Sequence, residues 1–178
     1  MLPKTARKFI DYIADSISFI LFKYKISTLK NFDEVVIFDL DNTLLDTYPL
    51  LNSMGLNDVF RSVKTHRGMI NLFHDYSEKN VFLFILSSRK INFYWITKQY
   101  IRQKINSKVP FYLVSNPLKK IKFLYFSSIF FKKVTLYDDL SYNHENGEVK
   151  FYHEIISELK DLPITYFGYS EILKINQL

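Results

Sequence analysis

Two carboxylates one residue apart, Asp39 and Asp41, stand directly after the apolar run Val35-Val36-Ile37-Phe38. Val and Ile suit a strand covered on both faces, so residues 34–39 read as a buried strand with acids at its carboxyl end. Open α/β sheets bind their ligands at that end. Carboxylates this close repel, and one takes up a proton unless a cation neutralises the pair. The chemistry open to such a pair is therefore narrow: a nucleophile beside a proton donor, or part of a cage for a hard cation.

Three further polar segments bear on the same chemistry. Ser87-Ser88-Arg89 closes the run Val81-Phe82-Leu83-Phe84-Ile85-Leu86. A hydroxyl there can donate to a transferring phosphoryl oxygen, and a guanidinium can add positive charge. Asp138-Asp139 closes Val134-Thr135-Leu136-Tyr137 and, with Asp39, would supply the few carboxylates that Mg²⁺ takes. Between them, Leu118-Lys119-Lys120-Ile121-Lys122 opens a helix, where an ammonium could offset the charge of nucleophile and phosphate. Spacing does not choose among the three lysines. Asn143, His144 and Glu145 follow the second acid pair as further candidates for the pocket.

In order and position these segments resemble the four motifs of the haloacid dehalogenase-like (HAD) phosphatases, over residues 33–145. The first is Asp-x-Asp-x-Thr after a hydrophobic strand, here Asp39, Asp41 and Thr43. By that resemblance Asp39 attacks phosphorus and forms an aspartyl-phosphate, Asp41 serves as acid and then base, and Thr43 ties the loop backbone. Ser87 and a lysine clamp the phosphoryl oxygens. Lys120 is preferred because Leu124 follows one turn later, as in the family pattern. Ser88, Arg89 and Lys122 are implied as substrate-binding, and Asp39, Asp41, Asp138 and Asp139 as the Mg²⁺ site. The family also implies a three-layer, Rossmann-like parallel sheet with strand order 5-4-1-2-3.

The elements that must position these groups alternate along the chain. Strands at 34–39, 81–86, 111–114, 134–137 and 164–167 are separated by helical patterning at 50–79, 91–105, after Asn116-Pro117, and at 149–160. This alternation argues for a parallel α/β sheet. Residues 46–49 read as a turn. Residues 1–30 form an N-terminal unit whose helix, over 5–25, carries Phe9, Ile13, Ile17, Ile20 and Tyr24 at helical spacing; residues 31–178 form the hydrolase domain. The helix stripe is expected to pack on its own domain or on a second copy, which leaves a homo-oligomer open, and a basic membrane-surface helix is the further alternative.

The intervals 44–80 and 90–118 are too short for a large cap of independent fold. An uncapped site suits a bulky phosphorylated substrate. A nucleic acid ranks lower, because most of the aromatic residues lie in apolar runs rather than free for base stacking.

Composition sets the outer bounds. The 178 residues are 48% hydrophobic, enough for one full core rather than a disordered chain. The absence of cysteine excludes disulfides, thiol catalysis and cysteine-ligated zinc. The net charge of +6 suits an anionic partner without choosing one. No stretch is apolar enough to span a bilayer, and Asp11 and Asp15 interrupt the N-terminal apolar region, so a signal peptide is not expected and a cytoplasmic protein is.

Overall fold

A computed structural model describes residues 3–29, 31–47, 62–105, 107–142 and 152–177. Five parallel strands form its sheet: β1 (Glu34–Phe38), β4 (Phe82–Ser87), β5 (Phe111–Leu113), β6 (Lys133–Tyr137) and β7 (Ile164–Phe167). Two short strands, β2 (Leu45–Asp46) and β3 (Lys64–Thr65), pair antiparallel as a separate ribbon. The sheet order is β5-β4-β1-β6-β7. These numbers differ from the expected 5-4-1-2-3 because the ribbon strands take two numbers without joining the sheet. Over the sheet strands alone, the neighbours run third, second, first, fourth, fifth.

Six α-helices are described: α1 (Lys4–Ser27), α2 (Arg67–Ser77), α3 (Tyr94–Gln103), α4 (Lys120–Phe130), α5 (His153–Lys160) and α6 (Tyr169–Gln177). The alternation of side chains along β1 divides the core in two. Val35 and Ile37 join one cluster with Phe84, Leu136, Phe123 of α4 and Phe22 and Ile26 of α1. Val36 and Phe38 join the other with Met69 and Phe73 of α2, Ile101 of α3 and Ile172 of α6. Helices therefore cover both faces, and β1, fully buried, takes the β-branched residues that such a strand requires.

The expected seat of α1 needs correction. Asp15, Ser18, Phe22 and Ile26 face the sheet, while Phe9, Ile13, Ile17, Ile20 and Tyr24 are exposed. Both sets have helical spacing, and the aromatic cluster decides between them. Phe22 meets Phe84, Tyr112 and Phe123 with ring centroids 5.1, 5.1 and 4.9 Å away. Truncating one such buried ring costs about 3–5 kcal/mol, so α1 is integral to the core.

The expected helix at 91–105 begins as a single 3₁₀ turn at Ile91–Phe93, and the one opened by Asn116-Pro117 likewise passes through a 3₁₀ turn before α4. Helical patterning over 50–61 lies outside the described residues, as does the start of the helix expected from 149. The ribbon and α6 were not expected. Gly68, at the start of α2, permits α6 to approach: a Cβ there would sit 2.1 Å from the Ile175 carbonyl oxygen. Met69 N–H donates to Asn176 Oδ1 at 3.0 Å beside it. Among the described residues, no helix is long and apolar enough to cross a membrane.

Candidate active site

The three adjacent central strands β4, β1 and β6 end together, and each delivers a polar residue. Register pairs Phe38 with Tyr137 and with Ile85, so the next residues along, Asp39 and Asp138, emerge side by side, with Ser87 on the other flank. Asp39 N–H still donates to the Tyr137 carbonyl at 2.8 Å, which holds the first catalytic candidate in line with the sheet.

Lys120 joins the two acids. Its Nζ donates to Asp39 Oδ1 at 2.7 Å and to Asp138 Oδ2 at 2.6 Å, and all three side chains are nearly inaccessible. The first residue of α4 reaches the site because Pro117 opens the preceding 3₁₀ turn, aiming the helix N-terminus at the strand ends. Lys119 is exposed and Lys122 points elsewhere. Lys122 Nζ lies 3.4 Å from the Asp15 carbonyl oxygen and 4.9 Å from the Phe19 ring centroid, against α1 rather than among the carboxylates. Of the three lysines, only Lys120 lies among the carboxylates.

Burial pushes the Asp39 carboxyl up to about 7, against the opposing pull of Lys120 and with further upward push from Asp138 and Asp41. Burial likewise pushes Asp138 up to about 6, again opposed by Lys120. Burial alone would lower the Lys120 ammonium, but Asp138 and Asp39 outweigh it and hold the amine protonated. Ligand oxygens of Asp39, Asp138 and Asp139 lie within 4.8 Å of one another. An all-oxygen, carboxylate-rich set suits Mg²⁺, which keeps several waters and needs few protein ligands. A dication there would also offset the burial that pushes both carboxyls upward and favour their charged forms.

Asp41 stands apart from that group. Its carboxylate is forked by Arg89, with Nη2 to Oδ1 at 2.6 Å and Nε to Oδ2 at 2.7 Å. Burial would raise the Asp41 carboxyl, but the charge and hydrogen bonds of Arg89, helped by Thr47, hold it below the usual carboxylate range. Asp41, expected among the metal ligands, lies outside the cluster of Asp39, Asp138 and Asp139, and its oxygens accept from a guanidinium. Arg89, expected to bind substrate, is engaged with Asp41 and with Thr97 Oγ1, which lies 3.3 Å from Nη1.

The loop carrying Asp41 turns at Asn42, whose φ of 57° is left-handed. Asn accepts that conformation more readily than other residues with a side chain. Asn42 N–H donates to the Leu45 carbonyl at 2.6 Å, and Leu45 N–H to the Leu40 carbonyl at 2.9 Å, closing the turn. Thr43 does not tie this backbone as expected: its buried Oγ1 has no hydrogen-bond partner among the described residues. Thr47 Oγ1 instead donates to the Asn42 side chain, at 3.1 Å from Oδ1. Ser87 Oγ and Ser88 Oγ are also buried and unpartnered among the described residues. Buried hydroxyls left without partners are costly, and those of Ser87 and Ser88 at the end of β4 and of Thr43 in the turn after β1 suit an anion that would supply acceptors. Sequence reading missed Thr47 and Thr97; both are ordinary residues whose roles depend on partners that folding brings to them. Asn143, His144 and Glu145 lie outside the described residues.

No protein-family model and no curated protein matches the sequence. Among solved structures, the fold is similar to a chain in the structure of a Pnkp1/Rnl/Hen1 complex, with a TM-score of 0.54 and 17% identity. The match covers 79% of this chain and 47% of that one, so this chain spans less than half of its length. The likeness shows a shared α/β fold.

Proposed function

We propose that the chain is a Mg²⁺-dependent phosphatase that hydrolyses a phosphomonoester at the end of a nucleic acid, through an aspartyl-phosphate on Asp39. The observation that carries the reaction type is the bridge of Lys120 between Asp39 and Asp138 at the ends of two central strands. This constellation, with Asp41 two residues on and Ser87 on the adjacent strand, is the one that the HAD-like resemblance implies. The substrate class rests on two weaker supports, the likeness to a chain of the Pnkp1/Rnl/Hen1 complex and the net charge of +6. They favour a polynucleotide end over the unspecified bulky phosphate that the sequence suggested.

In this reading Asp39 attacks phosphorus while the ester P–O bond breaks, and Asp41 gives a proton to the leaving oxygen. Asp41 then takes a proton from the water that hydrolyses the aspartyl-phosphate, releasing inorganic phosphate and regenerating Asp39. Asp41 cannot donate while Arg89 holds it as a carboxylate. The incoming phosphate competes for that guanidinium; the Asp41 carboxyl then shifts upward and takes up a proton from solvent, which it gives to the leaving oxygen. Ser87, Ser88 and Thr43 offer hydroxyls to the phosphoryl oxygens, and Lys120 balances the charge gathered around Asp39. Asp39, Asp138 and Asp139 would hold Mg²⁺, which when bound neutralises charge and polarises a phosphoryl oxygen.

Incubating the purified protein with 3′- or 5′-phosphorylated oligonucleotides and Mg²⁺ tests the proposal. Release of inorganic phosphate, lost in Asp39→Asn, is the expected result. Turnover of small phosphorylated metabolites but not of oligonucleotides would leave the chemistry and overturn the substrate class. No turnover of either would overturn the reading.

A further inference from the structure

We propose that the outer face of α1 docks the protein on an anionic lipid surface. The inference is independent of the chemistry at Asp39. The helix has 24 residues, about 36 Å at 1.5 Å per residue. It seats on the sheet through Asp15, Ser18, Phe22 and Ile26. A helix seated on one side normally turns polar residues outward. Here Phe9, Ile13, Ile17, Ile20, Leu21 and Tyr24 fall within an arc of about 120° on the opposite side, at 3.6 residues per turn. Their exposures run from 39% at Ile13 to 70% at Tyr24. The helix is thus apolar on two opposed faces, and nothing among the described residues covers the outer one. A contiguous exposed patch of this kind marks an interaction site. An apolar groove of about 390 Å³ between α1 and Ile91, Tyr94 and β5 extends the surface sideways.

Charge selects the occupant. Lys4, Arg7, Lys8, Lys23 and Lys25 are all exposed on α1, whereas its acids are withdrawn, Asp11 half-buried and Asp15 buried. The outer stripe is therefore apolar, and exposed Arg7, Lys23 and Lys25 flank it with no exposed acid on the helix to compensate them. A second copy laid on this face would bring like charges together. A nucleic acid would satisfy the cations but gain little from a surface dominated by Ile and Leu, which neither stack with bases as aromatics do nor hydrogen-bond. An anionic bilayer uses both features: the apolar side chains enter the headgroup boundary while Lys and Arg meet lipid phosphates and carboxylates. Phe9 and Tyr24, near the two ends of the stripe, are residues that favour that boundary.

Flotation of the full-length protein with vesicles tests this. Binding is expected to equimolar phosphatidylcholine–phosphatidylserine vesicles, to be much weaker on phosphatidylcholine alone, and to fall with added salt. The triple variant Ile13→Asn, Ile17→Asn, Ile20→Asn should keep the native fold by circular dichroism, because those side chains belong to neither core cluster, yet lose flotation. Reversing Arg7, Lys23 and Lys25 to Glu should lower partitioning onto the anionic vesicles by more than about tenfold. Failure of the native protein to float with either vesicle overturns the proposal. So does a sedimentation mass of two copies that falls to one in the Ile variant without any vesicle binding. Unchanged flotation in both variants overturns it too.

Discussion

Asp15 of α1 accepts two hydrogen bonds from Ser115, one from the backbone N–H at 2.7 Å and one from the hydroxyl at 2.6 Å. The carboxylate is buried, and its partner begins the segment Ser115-Asn116-Pro117 that turns into the helix headed by Lys120. The N-terminal helix thus fixes the backbone from which the site lysine is launched. Removing the helix would also strip Phe22 and Ile26 from the core, so a deletion of residues 1–28 is expected to unfold the protein rather than leave a working site.

Asp15→Ala tests this link without removing the helix. It leaves a buried N–H and a hydroxyl without an acceptor, a loss of about 2 kcal/mol by analogy with other charge-assisted buried bonds. Ser115→Ala removes only the hydroxyl bond and should cost less, about 1 kcal/mol. Chemical denaturation of both variants gives the comparison. A stability of Asp15→Ala equal to the native protein's would show that the two bonds do not constrain the segment.

Asp39→Asn should reduce phosphate release by more than about a thousandfold, because the amide cannot act as the nucleophile. The fold should survive, since Lys120 retains Asp138 as a partner and a buried carboxyl held near neutrality is exchanged for a neutral amide. Lys120→Met is the contrasting case. It leaves Asp39 and Asp138 facing each other without a cation between them, so stability should fall together with turnover. A thermal melt beside a phosphate-release assay separates the two behaviours. Equal loss of stability in both variants would mean that Asp39 is structural first.

Much of this site was legible because its parts are local. An apolar run followed by Asp39 and Asp41, or by Asp138 and Asp139, is a strand end readable within ten residues. The pairings that give these groups their states are not local. Arg89 and Asp41 are 48 positions apart, and Asp15 and Ser115 are 100 apart, so no window of sequence joins them. The face of α1 was misassigned for a different reason. Phe9-Ile13-Ile17-Ile20-Tyr24 and Asp15-Ser18-Phe22-Ile26 are equally good helical stripes, and the apolar one was taken as the buried one. The ribbon strands have two residues each, too few to show a period, and Tyr169–Gln177 buries only Ile172, too little to show a stripe.

Arg89→Ala should release Asp41 from its fork. With the guanidinium gone, burial is opposed only by the weaker pull of Thr47 and Lys120, and the titration of the carboxyl moves upward. Whichever limb of the rate profile Asp41 sets should move to higher pH, and turnover near neutrality should fall by about ten- to a hundredfold because substrate loses a cation. Arg89→Lys should recover part of the turnover, since it restores the charge without the two-pronged geometry. Rate profiles of the three proteins on one phosphorylated oligonucleotide supply the check. A profile in which neither limb moves in Arg89→Ala would remove Asp41 from the proton-transfer role.

The two buried acids also set how pH and Mg²⁺ act on stability. In the metal-free fold, Asp39 holds its proton up to about 7, whereas in the unfolded chain it releases it near 3.8. Between those values the folded state binds more protons than the unfolded one, so stability falls as pH rises through the window. Asp138 acts in the same direction up to about 6. Mg²⁺ must displace those protons to bind, so its affinity should increase as pH rises through the same range. The stabilisation it confers should therefore be larger at about pH 8 than at about pH 5, approaching about 2.7 kcal/mol at a hundredfold excess over the dissociation constant. Melting curves with and without Mg²⁺ at both pH values measure the difference. Asp138→Asn should abolish most of the Mg²⁺ response while making the metal-free decline between pH 3.8 and about 6 shallower, since only the Asp39 part remains. A Mg²⁺ response of equal size at both pH values, or one retained in Asp138→Asn, would place the cation somewhere other than between Asp39, Asp138 and Asp139.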